Sequence, residues 1–411
     1  MDQKRKNLTF FLAALLFAAL FIGNYGGFHL AAIPARIYAA FGLTDMQFSS
    51  LLTAPMVPSI FLSIVIGLMV DRFGIPKIVG IWIAIGTVGF ILRLFAASYP
   101  VMLIAMALTG FINMVVSANV AKLASALYPM DKVSKVVGIW MGGANAATAL
   151  AFATTALIPS LRLILLIPAV VSAAVLLLWM LFAKEPLFRR DPAPEQEQVQ
   201  VQEETRIADS LRLCFRSRSL WLAGITLFLV LGGATVLTNF HVTALTTLKG
   251  YSESLAGSFN SVLMVGAFLG SIFLPIYVTK KPGQAPVVLF IVLLVAAIST
   301  YGMIALPAAG IYICSFLNGA LRSGVIATML MMPVLLKEIG PRHAGTAGGF
   351  ILTLQLIGGV VLPTYVIVPL GGGSLERYFI LAAVCMLLAA VVGFLFMKTC
   401  GAFGKEKKDG V

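Results

Sequence analysis

Long apolar runs alternate with short polar breaks along almost the whole chain. Stretches of about 20 or more apolar residues, the length that crosses a bilayer as a helix, can be counted directly. They predict twelve spans, at 8–34, 46–70, 77–97, 101–128, 134–158, 161–183, 219–247, 254–278, 285–305, 308–336, 344–370 and 375–397. The one long interruption is 184–218. It holds Pro192 and Pro194, the run EQEQVQVQEE at 195–204, then Arg212, Arg216 and Arg218. That composition buries too little apolar surface to fold alone and predicts a polar linker, disordered or lying on a surface. The expected architecture is an all-α membrane protein, with a six-helix bundle at 1–183, a cytoplasmic linker at 184–218 and a second six-helix bundle at 219–411.

Composition supports the bilayer as solvent. Of 411 residues 60% are hydrophobic and 11% charged, about half the charged share of soluble proteins. Lys4, Arg5 and Lys6 before an apolar run resemble a signal peptide, but that run reaches about Ile33 and further spans follow at once, so a retained first span is expected. The four cysteines (Cys214, Cys314, Cys385, Cys400) have neither metal nor redox spacing. No phosphate loop, catalytic triad or metal-ligand cluster stands out, so neither an enzyme nor a bound cofactor is expected.

The net charge of +13 is a topology signal. With the N-terminus inside, cytoplasmic tails and loops carry 22 Lys and Arg, against 4 in the outer loops (Arg36, Arg162, Lys249, Arg377). This bias predicts both termini in the cytoplasm and a cell-membrane location. It also accounts for the basic balance without nucleic acid. The three remaining basic residues, Arg93, Lys122 and Arg322, lie within predicted spans, while all sixteen acids fall in loops, tails or span ends. The expected membrane interior therefore holds cations and no carboxylate.

The two halves resemble one another. GLTDMQFSSLLTAP from Gly42 parallels GYSESLAGSFNSVL from Gly250, FIN at Phe111–Asn113 parallels FLN at Phe316–Asn318, and GIWMGGAN from Gly138 parallels GGFILTLQ from Gly348. Two pseudo-symmetric six-span halves are a transporter plan, with a binding site expected near mid-membrane between them. The stretch GLMVDRFGIPK then resembles the G-x-x-x-D-R-x-G-x-[RK]-[RK] motif of the major facilitator superfamily, matched at Gly67, Asp71, Arg72, Gly74 and Lys77. The resemblance implies close helix packing at the glycines and a cytoplasmic latch at the charged pair. It also implies a monomer. The corresponding loop of the second half, TKKPG at Thr279–Gly283, keeps basic charge without the acid.

The chain departs from two patterns of that family. Four residues before Gly110 stands Met106, where many proton-coupled members carry arginine. Gly138 and Gly142 are followed by Gly143, where drug/proton antiporters carry proline. Arg93 ahead of a glycine-containing fourth span is similar to cyanate-transporter-like members, and GGANAA at Gly142–Ala147 to nitrate/nitrite porters. Both subfamilies move small anions.

Candidate site residues follow from depth. By helical rise, Arg322 lies ~21 Å from the outer end of its span and Asn318 ~15 Å, Asn113 is ~20 Å into the fourth span, and Asn145 and Gln355 sit ~17 Å from the inner ends of theirs. In the family the fourth, fifth, tenth and eleventh helices border the central cavity, so these five are expected to line it. Arginine supplies charge and a planar fork suited to oxyanions, and amides supply N–H donors. Asn24, Tyr25 and Asn239 are further candidates. Amides in spans also serve as bridges between helices. Lys122 is expected to snorkel to the cytoplasmic interface. His29 and His241 are the side chains within spans that titrate near neutrality.

The expected function is a secondary transporter that moves a small inorganic or organic anion by alternating access, with lipid as its other partner. The alternative is an exporter of apolar or weakly polar compounds, suggested by the apolar lining and by Met329, Met331 and Met332. A sensor built on a transporter fold is a third reading, for which no signalling appendage is evident.

Overall fold

The computed structural model describes residues 3–184, 188, 207–336 and 339–399. Among them, eleven helices are long and apolar enough to cross a membrane. Ten of the eleven begin and end within about three residues of a predicted span; the other, Tyr99–Ala118, stops ten residues before the end of the predicted 101–128. Each follows from the same cause: with no water to satisfy backbone groups, an apolar segment in lipid must close its own hydrogen bonds as a helix.

The predicted second span, 46–70, is the exception. After the short α2 (Pro34–Phe41), it forms α3 (Asp45–Thr53), a 3-10 turn at Ala54–Met56, and α4 (Val57–Phe73) of 17 residues. Pro55 and Pro58 lack the N–H that an unbroken ladder needs, so the helix is interrupted there. Thr44 caps α3: its side chain accepts from the Gln47 N–H while the Gln47 side chain accepts from the Thr44 N–H. The predicted fourth span is also divided. α6 (Tyr99–Ala118) stops at Asn119, and α7 (Val120–Leu127) carries Lys122 beyond the break.

The contacts group the chain into two units, Met1–Ala193 with Leu245–Ser261, and Pro194–Ala244 with Val262–Val411. In the first unit α1 (Gln3–Phe28), α5 (Ile75–Leu92), α6, α8 (Met130–Thr154) and α9 (Leu161–Phe182) enclose a core that includes Leu16, Phe90, Ile112 and Trp179. Gly110 on α6 meets the Pro55 backbone so closely that a Cβ would collide with its carbonyl. The tip at 245–261 is tied in by Ser261, whose hydroxyl donates to the Ala149 carbonyl at 2.8 Å. A 3.4 Å ion pair between Arg36 and Glu253 ties it again.

The linker is not irregular throughout. Residues 189–206 lie outside the described ones, but Ile207–Arg216 forms a helix, α10. Cys214 on it is buried in the second unit's core, and Arg212 and Arg216 are exposed. The second unit continues with α11 (Arg218–Lys249), α12 (Glu253–Lys280), α13 (Ala285–Ala305), α14 (Ala308–Leu335) and α15 (Gly340–Val361). A π-helical turn at Leu362–Ile367, the short α16 (Val368–Gly371) and α17 (Leu375–Thr399) complete it. Gly266 and Gly270 on α12 and Gly319 on α14 face each other's helix backbones with no room for a Cβ. Such small residues are how helices approach closely where lipid offers little hydrophobic drive.

Candidate functional site

Arg322 stands near the middle of α14. Its side chain is 6% exposed, and its Nε has no hydrogen-bond partner. Among the described residues no hydrogen bond, ion pair or ring contact engages the guanidinium. Gln355 on α15 is also 6% exposed, and its Oε1 is unpartnered. α14 ends at Leu335 and α15, which packs against it, begins at Gly340. Counting from those two helix ends, Arg322 lies ~20 Å along α14 and Gln355 ~22 Å along α15. Two unsatisfied polar side chains thus share one level of neighbouring helices.

Asn318, one turn before Arg322, behaves differently. Its Nδ2 donates to the Ala296 carbonyl (3.0 Å), Ser299 Oγ (3.3 Å) and Thr300 Oγ1 (2.9 Å), all on α13. Ser299 and Thr300 donate their own protons to the same Ala296 carbonyl. Asn318 therefore ties α14 to α13 and retains only Oδ1 without a partner. Asn239 is buried and already engaged within the fold. His241 places Nε2 3.2 Å from the Met303 carbonyl.

In the first unit the structure brings Asn24 and Asn113 together. Asn24 Nδ2 donates to Asn113 Oδ1 at 3.1 Å and to the Leu20 carbonyl at 2.8 Å, which leaves the Asn113 amide N–H groups to donate. Asn145 Nδ2 is 3.4 Å from the Met141 carbonyl of its own helix. The Tyr25 hydroxyl lies 3.4 Å from Thr154 Oγ1 and 3.5 Å from Thr155 Oγ1, so Tyr25 links α1 to the end of α8.

Arg93 is the buried cation of this unit, 1% exposed. It donates from Nη1 to the Gly26 carbonyl and from Nη2 to His29 Nε2, each at 2.8 Å, and its guanidinium lies 5.3 Å from the Phe90 ring centre. An arginine cannot accept a hydrogen bond. His29 Nε2 must therefore carry the lone pair, and Nδ1 carries the proton that it donates to the Tyr25 carbonyl at 3.2 Å. His29 is held neutral in one tautomer. Sequence reasoning named both residues without pairing them; the available signal was that both sit toward the outer ends of their spans. It also missed Arg36, which donates to the Ile158 and Ala156 carbonyls and pairs with Glu253.

At the motif, Gly74 has φ +86°, a backbone conformation that side-chain-bearing residues rarely adopt. Arg72 and Lys77 are exposed and flank the Phe73 ring at 5.3 and 5.9 Å. The surroundings of Gly67 and the side chain of Asp71 lie outside the described residues. Among the described residues no group of three or more His, Cys, Asp or Glu could hold a metal ion.

The family described as Major Facilitator Superfamily matches residues 10–363. A sequence search of curated proteins finds no match. Among solved structures, a bacterial homologue of the human lysosomal transporter Spinster, in an inward-facing and unoccupied conformation, is similar with a TM-score of 0.81 at 15% identity. The alignment covers 97% of this chain and 98% of that one. The nucleoside transporter NupG is similar with a TM-score of 0.74 at 15% identity, covering 96% and 99%. At these identities the likeness speaks for the fold. Neither relative is described as a cyanate or nitrate porter, so that finer resemblance gains no support.

Proposed function

Because the chain belongs to the Major Facilitator Superfamily, a family of multi-pass membrane transporters, we propose that it carries a small anion by alternating access. The observation that supports this reading is Arg322: a cation nine-tenths buried, in a membrane span, with no partner among the described residues. An uncompensated charge in such a place is costly, and a bound anion lowers that cost. The ligand's charge then favours whichever conformation encloses it, which couples occupancy to closure. Gln355, at the same level, is assigned as a second ligand contact. Asn318 and Tyr25, by contrast, position helices. From the basic loops we likewise infer that both termini lie on the cytoplasmic side of a cell membrane.

The test is a thermal-shift screen of the purified full chain with formate, acetate, lactate, nitrate and inorganic phosphate. At least one anion is expected to raise Tm in the unaltered protein and to leave Arg322→Gln unmoved. A ligand at 100 times its Kd stabilises by about 2.7 kcal/mol, well within reach of the assay. Stabilisation by lipophilic compounds with none from any of the five anions would overturn the reading in favour of an exporter of apolar compounds.

A further inference from the structure

Away from the central polar residues, the first unit carries a groove of about 520 Å³ between the start of α5 and the end of α9. Both helices are membrane spans. One end of the groove is charged: Lys77, in the first turn of α5, lines it, and the exposed Lys184 follows immediately after Ala183 at the other lip. The rest is apolar, along Gly80, Ile81 and Ala84 on one wall and Trp179 and Met180 on the other. From Lys77 to Ala84 the groove runs ~10 Å inward from the membrane edge.

Two details keep it open and shaped. Trp179 Nε1 donates to the Pro76 carbonyl at 3.0 Å, which fixes the indole as a wall. A Cβ at position 80 would come within 3.3 Å of that ring, so glycine there leaves the floor free. Among the described residues no acid pairs with Lys77; its ammonium lies 5.9 Å from the Phe73 ring centre, and Arg72 approaches the same ring at 5.3 Å. Tryptophan and basic residues at a span end sit at headgroup level.

We propose that this groove binds an anionic phospholipid, with the phosphate at Lys77 and one acyl chain along Gly80, Ala84 and Met180. Charge complementarity selects the headgroup: the lip offers cations and, among the described residues, no carboxylate pairs with them. The apolar floor requires the chain, so free phosphate is a poor occupant. A second groove between α1 and α8, of about 270 Å³, supplies an internal control. It is lined by residues such as Phe10, Ala14, Phe17 and Trp140 with no charged side chain, and can take a chain without selecting a headgroup.

The full-length protein in detergent is offered equal amounts of dioleoyl phosphatidylglycerol and dioleoyl phosphatidylcholine, and retained lipid is counted by native mass spectrometry. One basic contact at a membrane surface corresponds to about a fivefold preference, so the unaltered protein should retain the glycerol lipid about fivefold over the choline lipid. Lys77→Gln should bring the two to parity. Ala84→Phe, which fills the groove floor, should lower retention of the anionic lipid while Lys77 stays in place. Ala14→Phe in the other groove should leave the preference intact. Equal retention in the unaltered protein, or a preference that survives both Lys77→Gln and Ala84→Phe, would overturn the proposal.

Discussion

Arg93 and Arg322 are both arginines buried within membrane spans, one in each unit, at 1% and 6% exposure. Their surroundings differ in kind. Arg93 gives one Nη to a backbone carbonyl and another to a neutral histidine, and lies over a phenylalanine ring. Its charge is spread over dipoles that the fold itself supplies. The Nε of each lacks a partner, but Arg322 has no Nη hydrogen bond and no ring contact among the described residues either. Buried polar groups are nearly always hydrogen-bonded, so the exception is the informative one. Composition alone would treat these arginines as equivalent; the contacts separate a cation held by the fold from one with no partner among the described residues.

The largest effect should fall on transport at Arg322. In proteoliposomes loaded for exchange of whichever anion stabilises the protein, Arg322→Gln should lower uptake by about two orders of magnitude, the scale of a lost charge-assisted contact of about 3 kcal/mol. Arg322→Lys keeps the charge without the planar fork and should fall between. Arg322→Met should not lower Tm, since it removes an unpaired buried charge. A variant at 322 that transports normally would erase the contrast with Arg93.

Stability should respond in the opposite sense at Arg93. Arg93→Met leaves His29 Nε2 and the Gly26 carbonyl without their donor. Each buried acceptor left unsatisfied costs about 1–3 kcal/mol, so Tm should fall clearly, whether or not an anion is present. His29→Leu should cost about 1–3 kcal/mol for the guanidinium N–H it orphans, and combining it with Arg93→Met should cost less than the sum, because the two side chains share one bond. Additive losses would show that the bond between them contributes little.

The same contrast shows which parts of the fold could be read from residues alone. Span positions could, because lipid imposes one requirement on every segment: enough apolar length to cross. Pro55 and Pro58 marked a weak point in the second span, whereas the break at Asn119 could not be placed, because no proline or glycine marks it. Arg322 was legible as a lone charge in an apolar run, whatever its neighbours. The partners of Arg93 were not, since His29 is 64 positions away and meets it only after α1 and α5 align in depth. For Asn318 the residue type suggested a ligand contact; the hydroxyls of Ser299 and Thr300, on another helix, gave it a different task.

Asn318 therefore offers the finest test of the distinction, since it lies one turn from Arg322 on the same helix. The two N–H groups of its Nδ2 are shared among three acceptors on α13, and the Ser299 and Thr300 hydroxyls orient the amide by donating away from it. Asn318→Leu should loosen the α13–α14 contact. Interhelical polar bonds in membranes are worth about 0.6 kcal/mol on average and up to about 1.7, so the loss should be modest and visible as a lower Tm. Anion stabilisation should persist in this variant, because the charge at 322 is untouched. Losing that stabilisation at an unchanged Tm would instead place Asn318 beside Arg322 as a ligand contact, and move the boundary between structural and ligand-facing groups by one helical turn.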